Sequence, residues 1–220
     1  MEPLTRLLQK TLPDAHAEVR ALDLCPTISL HLVSPENMDR PFSADEVRSI
    51  LECTPYWAFC WAAGHALAAF ILENPGICRG RRVLDVGAGS GVAAVAAALA
   101  GASEVTACDT DEDALVAVRA NAGLNGVDVA TCRAPGEERH APDLILASDV
   151  FYDRENRALL EAFPRMAPSV LVADARVRID EVSLFSKICE MEAVTLPDLG
   201  EAEDFGCVGF YTAGREDLRP

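Results

Sequence analysis

The chain has 220 residues, 50% of them hydrophobic, and its 35 acidic and 19 basic residues give a formal net charge of −16. This length accommodates one α/β domain with a short extension. The acidic balance argues against a nucleic acid as the main partner, because phosphate binding needs a basic surface. The same charge would steer a cationic partner toward the protein, but solubility alone explains it equally well.

Cysteine spacing and the N-terminal sequence restrict the cellular setting. The 8 cysteines form no Cys-x-x-Cys pair and most lie in apolar segments, so we expect buried, reduced thiols and no bound metal. No uninterrupted apolar segment reaches the length of a membrane span, and the first residues lack the layout of a signal peptide. We therefore expect a cytoplasmic protein without a membrane partner.

Residues 1–78 are predicted to form an extension that packs on a catalytic domain over 79–220 and does not fold alone. The hydrophobic pattern predicts three helices and one extended segment in this extension. The helices are expected over 4–20, 44–51 and 64–73, and the extended segment over 27–33. Ser43 and Glu46 have the spacing of a capping box at the start of the second helix.

From residue 82 onward, apolar strand patterns alternate with helical ones. The candidate strands lie at 82–86, 104–109, 128–133, 144–148, 170–174, 192–196 and 206–212, and the candidate helices at 92–100, 111–124, 154–163 and 179–190. Continuous apolar strands joined by helices indicate a mostly parallel sheet that is covered on both faces. No helix follows the last strand, which we expect to run antiparallel at one side of the sheet.

A glycine-rich turn, Gly-Ala-Gly-Ser-Gly at 87–91, follows the first of these strands. Gly87 and Gly89 let the backbone turn sharply and approach a ligand closely. A dinucleotide fingerprint needs a small residue at position 92, which is Val92, and Asp85 would repel a pyrophosphate. S-adenosylmethionine, which has a cationic amine and a sulfonium, fits an aspartate beside this turn better. A glycine turn without a ligand is the alternative.

Polar side chains follow two further strands. Asp109 ends the second strand of the series, where a carboxylate can accept hydrogen bonds from ribose hydroxyls. This placement favours a nucleoside ligand without choosing between cofactors, and an ordinary loop acid is the alternative. Ser148, Asp149 and Tyr152 follow the fourth strand. Because reactive groups lie at the carboxyl ends of strands in open α/β sheets, we expect Asp149 and Tyr152 to face the cofactor cleft.

An aromatic segment precedes the domain and contains both tryptophans of the chain, Trp57 and Trp61, together with Tyr56 and Phe59. Such a segment could cover the cofactor and form one wall of a substrate channel. The alternative is that it only packs the extension onto the sheet, and this alternative has most weight for Tyr56 and Phe59.

These motifs together resemble those of the electron transfer flavoprotein β-subunit lysine methyltransferase family. The similar motifs are Pro-Tyr-Trp-Ala-x-x-Trp at 55–61, Arg-Gly-x-x-Val-Leu-Asp-x-Gly-x-Gly at 79–89 and Asp-x-Phe-Tyr-Asp at 149–153. The chain departs from the family at Ser90, where eukaryotic relatives have a cysteine, and in segment 132–134, which lacks the Asn or Asp that often contacts adenine. We recognise no family motif in the first 50 residues.

The resemblance implies a Rossmann-like sheet of seven strands, S-adenosylmethionine as the methyl donor, and a lysine of a partner protein, the flavoprotein β-subunit, as the acceptor. It implies functional roles for Asp85, Gly87, Gly89, Asp109, Asp149 and Tyr152. We assign Asp149 and Tyr152 to catalysis and lysine binding, and the others to the cofactor. To these we add Trp61 and Ser148 for the cofactor and Trp57 for the substrate.

Three alternatives stay open at this point. The acceptor could belong to another protein, such as a ribosomal protein, or to a small-molecule amine. The chain could be a non-catalytic module that binds the cofactor and regulates a partner, although the Asp149 and Tyr152 pair argues against this. An NAD-dependent oxidoreductase is disfavoured by Val92 and Asp85.

Overall fold

A computed structural model of the protein describes residues 1–37, 40–177, 179, 183–214 and 218. The helices are α1 (Glu2–Leu8), α2 (Ala44–Glu52), α3 (Ala62–Glu73), α4 (Val92–Leu99), α5 (Glu112–Leu124) and α6 (Leu159–Met166). The strands are β1 (Ala17–Ala21), β2 (Ser29–Val33), β3 (Arg82–Val86), β4 (Glu104–Cys108), β5 (Ala130–Cys132), β6 (Leu144–Ser148), β7 (Ser169–Asp174), β8 (Ser186–Glu192) and β9 (Cys207–Gly214). Over the described part of the chain, none of the helices combines the length and apolar character needed to cross a membrane.

The main sheet has seven strands in the order β5-β4-β3-β6-β7-β9-β8. Strands β3 to β7 pair in parallel, and β9 runs antiparallel to both β7 and β8. This confirms the predicted mostly parallel sheet with an antiparallel last strand. The chain builds outward from β3 to β5 and then in the opposite direction from β6, so the strand order reverses between β3 and β6. A crevice at such a reversal is where open α/β sheets bind their ligands.

Two alanine-rich helices, α3 and α4, pack together on one face of the sheet. Both helices and the sheet residues beneath them share one hydrophobic core. Small side chains permit a close approach: a Cβ on Gly64 of α3 would lie 3.0 Å from Cγ1 of Val92, the first residue of α4. This approach brings the N-terminus of α3 to the glycine turn, next to the reversal in strand order.

The predicted helix over 4–20 is wrong. Helix α1 ends at Leu8, and 17–21 form strand β1, which pairs antiparallel with β2. Pro13 has no amide hydrogen to continue a helix, and the alternating polar and apolar residues that follow it suit a strand. The predicted extended segment is confirmed as β2, and the capping box is confirmed by reciprocal hydrogen bonds between Ser43 and Glu46.

The predicted elements between 179 and 196 are also wrong, although 180–182 lie outside the described residues. Segment 186–192 forms the edge strand β8 in place of a helix, and Leu196 contributes only an isolated bridge to Cys60 in place of a strand. The half-buried residues of β8 carry little periodicity of their own, so its pairing with β9 decides the structure. Segment 193–206 then runs back from the sheet edge to the cavity at the reversal in strand order, where Leu199 and Glu201 form part of the wall.

The N-terminal residues share their core with the sheet: Leu30 of β2 and Val83 of β3 belong to one cluster. Asn121 of α5, which is fully buried, makes a polar connection between the same regions. Its Oδ1 accepts a hydrogen bond from the His31 amide, and its Nδ2 donates to the carbonyl of Ser90 in the glycine turn, each at 2.8 Å. These contacts agree with an extension that packs on the domain, and the boundary at residue 78 stays a prediction.

We expect Asn121→Ala to lower the free energy of unfolding by about 2–4 kcal/mol, because it leaves two buried backbone groups without partners. Urea denaturation measures this loss. Asn125→Ala is the matched control: Asn125 makes similar bonds to Ser29 but is only half-buried, so its loss should be smaller. Equal losses in the two variants would contradict a special role of Asn121.

Candidate active site

A cavity of about 740 Å³ lies at the reversal in strand order, within the size range of small-molecule sites. Its wall is formed by the segments that leave the carboxyl ends of β3, β4, β6 and β7, together with the aromatic segment before α3. All the predicted site residues except Asp85 line this cavity: Trp57, Trp61, Gly87, Gly89, Asp109, Ser148, Asp149 and Tyr152. The structure therefore brings together residues that are far apart in the sequence.

The glycine turn and Asp109 form one hydrogen-bonded unit. The amides of Gly87 and Ala88 donate to the carbonyl of Cys108, and the Gly89 amide donates to Oδ2 of Asp109 at 2.9 Å. Gly87 has φ +71°, and an added Cβ would lie 2.6 Å from a Val150 methyl group. Gly89 has φ +51°, and an added Cβ would meet nothing within 4 Å. The backbone at Gly89 is therefore open to a ligand.

The structure corrects the expected placement of Asp85. Its side chain is 1% exposed and does not line the cavity, and its Oδ2 accepts a hydrogen bond from the Ala94 amide at 3.1 Å. The N-cap of α4 is Gly91, which has no side chain to cap the helix, so Asp85 satisfies one of its first amides from the strand. Asp85 thus holds the glycine turn and α4 in place, and any effect on a ligand acts through that turn.

Asp149 has an unusual backbone and an incompletely bonded side chain. Its φ of +50° is the left-handed conformation, which costs a residue other than glycine about 1–2 kcal/mol. Its Oδ2 accepts a hydrogen bond from the Ala63 amide in the first turn of α3 at 3.3 Å. Its Oδ1 is buried and makes no hydrogen bond of ordinary geometry to the described residues, although the nearby Ala175 amide lowers the pKa of this carboxyl. Burial, reinforced by the nearby charge of Asp174, raises the pKa of Asp149 to about 6.

Aromatic rings form the mouth of the cavity. The Tyr56 ring lies 5.9 Å from that of Trp61 and 6.1 Å from that of Tyr152, measured between ring centroids. The Trp61 indole donates to the Tyr56 carbonyl at 2.9 Å, which fixes its orientation. Tyr56 and Tyr152 are 46% and 49% exposed, whereas Trp57 is buried. The two tyrosines therefore face both the cavity and the solvent.

Sequence reasoning missed Arg176 and Glu201, which close the side of the cavity opposite Asp109. They form an ion pair, and the Arg176 guanidinium carbon lies 5.8 Å from the Trp61 ring centroid and 4.5 Å from that of Phe205. Arg176 follows β7 by two residues, so the rule that placed Asp149 could have found it. No local pattern marks Glu201, because it reaches the cavity on the return of segment 193–206.

Comparison with known proteins identifies the class to which this fold belongs. Residues 65–149 match the family model described as Ribosomal protein L11 methyltransferase (PrmA). A solved structure of similar fold is the 16S rRNA N2 G1207 methyltransferase of T. thermophilus in complex with AdoMet and guanosine. That structure gives a TM-score of 0.58 at 15% identity, covering 92% of this chain and 51% of that one. The fold and the arrangement of the cavity define a Rossmann-like methyltransferase.

Two curated relatives narrow this class. A Danio rerio protein is 34% identical over 204 residues, covering 86% of this chain and 75% of its own length. A Xenopus laevis protein is 35% identical over 204 residues, covering 87% of this chain and 80% of its own length. Both are named electron transfer flavoprotein beta subunit lysine methyltransferase, and the chain belongs to this family. The resemblance read from the sequence motifs is confirmed.

The buried position of Asp85 generates a pH-dependent prediction. Burial raises the pKa of Asp85 to about 7, so the folded protein keeps a proton that the unfolded chain loses near pH 4. As pH rises through this window, the free energy of unfolding of the wild type should fall relative to Asp85→Asn, which cannot ionise. Urea denaturation at about pH 5 and about pH 8 measures the difference.

The matched variant Asp85→Ala removes the hydrogen-bond acceptor for the Ala94 amide. We expect it to lose about 1–2 kcal/mol of stability, as for other lost helix caps, and to bind S-adenosylmethionine more weakly. Identical pH dependence in the wild type and Asp85→Asn, or unchanged calorimetric affinity in Asp85→Ala, would contradict these roles.

Proposed function

We propose that this protein transfers a methyl group from S-adenosylmethionine to a lysine side chain of the electron transfer flavoprotein β subunit. The main support for this chemistry is the position of Asp149. This residue lines the cavity, and one oxygen of its carboxylate is buried without a hydrogen bond of ordinary geometry. The names of the relatives support the acceptor protein. The roles of the individual residues are part of the same proposal.

The residues of the cavity suit S-adenosylmethionine. The open backbone at Gly89 admits a ligand at close range. Asp109 uses its carboxylate oxygens to accept the Gly89 and Asp111 amides, and each oxygen keeps a further lone pair for a ribose hydroxyl. Asp111 and Ala114 line the cavity next to Asp109 and are the candidates for contact with the base, whereas segment 132–134 is absent from the cavity wall.

The mouth suits the side chain of a lysine. Tyr56, Trp61 and Tyr152 provide apolar ring surface for the four methylene groups, and their aromatic faces attract an ammonium. Because Tyr56 and Tyr152 remain about half exposed, the mouth opens to the surface. A wide mouth favours a residue presented by a protein over a small amine enclosed in the cavity.

The amine must lose a proton before it can attack, and S-adenosylmethionine then supplies an electrophilic methyl group. Asp149 is placed to orient the amine hydrogens and to accept this proton. The Ala63 amide holds the carboxylate through Oδ2 at 3.3 Å, and Asp149 itself lines the cavity, so the carboxyl lies at the place where the amine must bind. The remaining contribution is positioning, since both reactants are held along the line of transfer.

Tyr152 is proposed to shape the lysine channel and to hydrogen-bond to the substrate. Burial and the neighbouring Tyr56 raise the pKa of Tyr152 to about 12, so its phenol stays neutral at physiological pH. A neutral phenol donates or accepts a hydrogen bond without adding charge beside the sulfonium. Trp57, which is buried and also lines the cavity, anchors this wall in a core cluster that it shares with Leu4 and Leu8.

Another protein acceptor remains the second candidate. The matched family model carries the name of ribosomal protein L11 as substrate, and it covers the cofactor half of the cavity, from α3 to Asp149. The acceptor half, with Tyr152 and Glu201, lies beyond that match. The choice between the two proteins therefore depends on residues outside the shared region. A cytoplasmic location and the absence of a nucleic-acid partner stay predictions.

The direct test is transfer of a labelled methyl group. We expect label from S-adenosylmethionine on one or more lysines of purified flavoprotein β subunit, located by mass spectrometry. Ribosomal protein L11 and free lysine serve as parallel acceptors. Label on L11 alone would show that the acceptor is L11 and not the flavoprotein subunit. Turnover of free lysine at a similar kcat/KM would show that the acceptor is a small amine and not a protein.

Asp149→Asn should lower kcat by about 100-fold or more, because the amide cannot accept the amine proton. Affinity for S-adenosylmethionine, measured by calorimetry, should change far less. Since the pKa of Asp149 is about 6, the wild-type rate should fall as pH drops through about 6, where the carboxylate becomes protonated. Asp128→Asn, which removes an exposed charge at the opposite edge of the sheet, is the control. A wild-type kcat in Asp149→Asn would refute the assigned role.

A further inference from the structure

The proposed mechanism does not use Asp174, although this carboxyl lies beside Asp149. Asp174 is the last residue of β7, and Asp149 is the first residue after β6. These strands pair in parallel, with Ser148 opposite Ala173, and the Asp149 amide donates to the Ala173 carbonyl at 3.2 Å. The two carboxyls therefore leave adjacent strand ends side by side.

Each carboxyl has one oxygen that is bonded and one that is not. Oδ1 of Asp174 accepts hydrogen bonds from the amides of Arg176 and Val177, both at 2.8 Å. Its Oδ2 is buried and, like Oδ1 of Asp149, makes no hydrogen bond of ordinary geometry to the described residues, although the nearby Phe151 amide lowers the pKa of Asp174. Asp174 is only 2% exposed. Two buried acceptors at one place carry a large desolvation cost unless a proton or a cation lies between them.

The backbone of Asp149 turns away from strand β6 in the left-handed conformation. Aspartate is among the residues other than glycine that adopt this conformation most readily, because its short polar side chain can hydrogen-bond locally. The Asp149 backbone amide donates to the Ala173 carbonyl of β7, and its carboxylate Oδ2 accepts from the Ala63 amide of α3, so the residue contacts both elements.

We propose that Asp149 and Asp174 act as one carboxyl pair that is ionised before the reaction and takes up a single proton, the one that leaves the substrate ammonium. The inference rests on the proposed lysine methylation for its chemistry. Asp149 is the member that meets the substrate, and Asp174 is a positioning residue that acts through Asp149.

The proton balance of the step is simple. An N–H bond of the lysine ammonium breaks, its electron pair stays on Nζ, and the proton forms an O–H bond on Asp149 that Asp174 accepts as a hydrogen bond. The neutral amine then attacks the methyl carbon, the carbon–sulfur bond breaks, and S-adenosylhomocysteine leaves with that electron pair. The methylated product departs as an ammonium, and the proton held by the pair passes to water through the cavity.

Charged groups around the pair come from three directions. The Arg176 guanidinium follows β7 and lowers the pKa of both carboxyls, but it is engaged by Glu201 from segment 193–206. Helix α3 contributes the Ala63 amide, and its buried His65 is bonded elsewhere, to Leu24 and Val194. Burial is the largest effect and raises the pKa of both Asp149 and Asp174. A shared proton is consistent with this balance.

Asp174→Asn is the decisive variant. The amide oxygen keeps an acceptor for the Arg176 and Val177 amides, while the negative charge beside Asp149 is lost. We expect the acid limb of the pH–rate profile to move down by about one pH unit or more, because a like charge no longer raises the pKa of Asp149. At neutral pH kcat should fall by about tenfold or more, with KM for S-adenosylmethionine unchanged. Asp128→Asn should show neither change.

A second readout does not depend on the acceptor protein. The carboxyl ¹³C shifts of Asp149 and Asp174 in the free wild-type protein should follow two shared titration steps. In Asp174→Asn, Asp149 should titrate in one step at lower pH. If Asp174→Asn does not fold, Asp149→Asn should move the single step of Asp174 down in the same way. Independent single steps in the wild type, or an unmoved step in either variant, would overturn the pair.

The two readouts separate the inference from the function on which it rests. If the flavoprotein subunit is not methylated, the proposed acceptor is wrong, but coupled titration would still establish the pair. The flavoprotein subunit could be methylated while Asp174→Asn and the wild type lose activity at the same acid pH. That result would support the acceptor protein and refute the carboxyl pair.

Discussion

The site depends on the register in which β3 lies between β4 and β6. Val86 is paired with Cys108 on one side and with Ala147 on the other, so the three strands end at one level. The turn at Gly87, the carboxylate of Asp109 and the carboxylate of Asp149 leave these ends within one or two residues. A shift of one residue in either pairing would reverse which side chains face the core and would separate these groups.

The second constraint is the position of α3, whose N-terminus has no side-chain cap of its own. Its first amides donate instead to Thr195 and to Asp149, which come from distant parts of the chain. Asp149 is therefore both the cap of α3 and the proposed base. The close approach at Gly64 holds the helix where this exchange is possible. One carboxylate therefore both fixes the N-terminus of α3 and serves as the proposed proton acceptor.

Local patterns predicted the interior of the fold well and its edges poorly. Strands β3, β4, β6 and β7 are continuous apolar runs with helices between them, so their identity follows from short stretches of sequence. The helix expected over 4–20 and the elements expected over 179–196 lie at the periphery, where pairing partners decide the structure. Segment 186–192 forms strand β8 because it pairs with β9, and the hydrophobic pattern within the segment does not predict this pairing.

The site shows the same division. Strand-end position alone predicted that Asp109, Asp149 and Tyr152 would face one cleft, and it would have served equally for Arg176. The charge argument that placed Asp85 beside a cationic ligand missed its burial, because that burial and its bond to Ala94 depend on how α4 packs against β3. Glu201 could be found only from the course of segment 193–206 in space.

The sequence by itself determined the class of fold, the glycine turn and the family, because these depend on hydrophobic period and on short motifs that act locally. The tertiary structure determined which charged side chains lie next to each other. The pairing of β6 with β7 places Asp174 beside Asp149, and the docking of α3 brings the Ala63 amide to one oxygen of Asp149. Such encounters join residues that are remote along the chain, and their energies arise from burial, which only the folded protein creates.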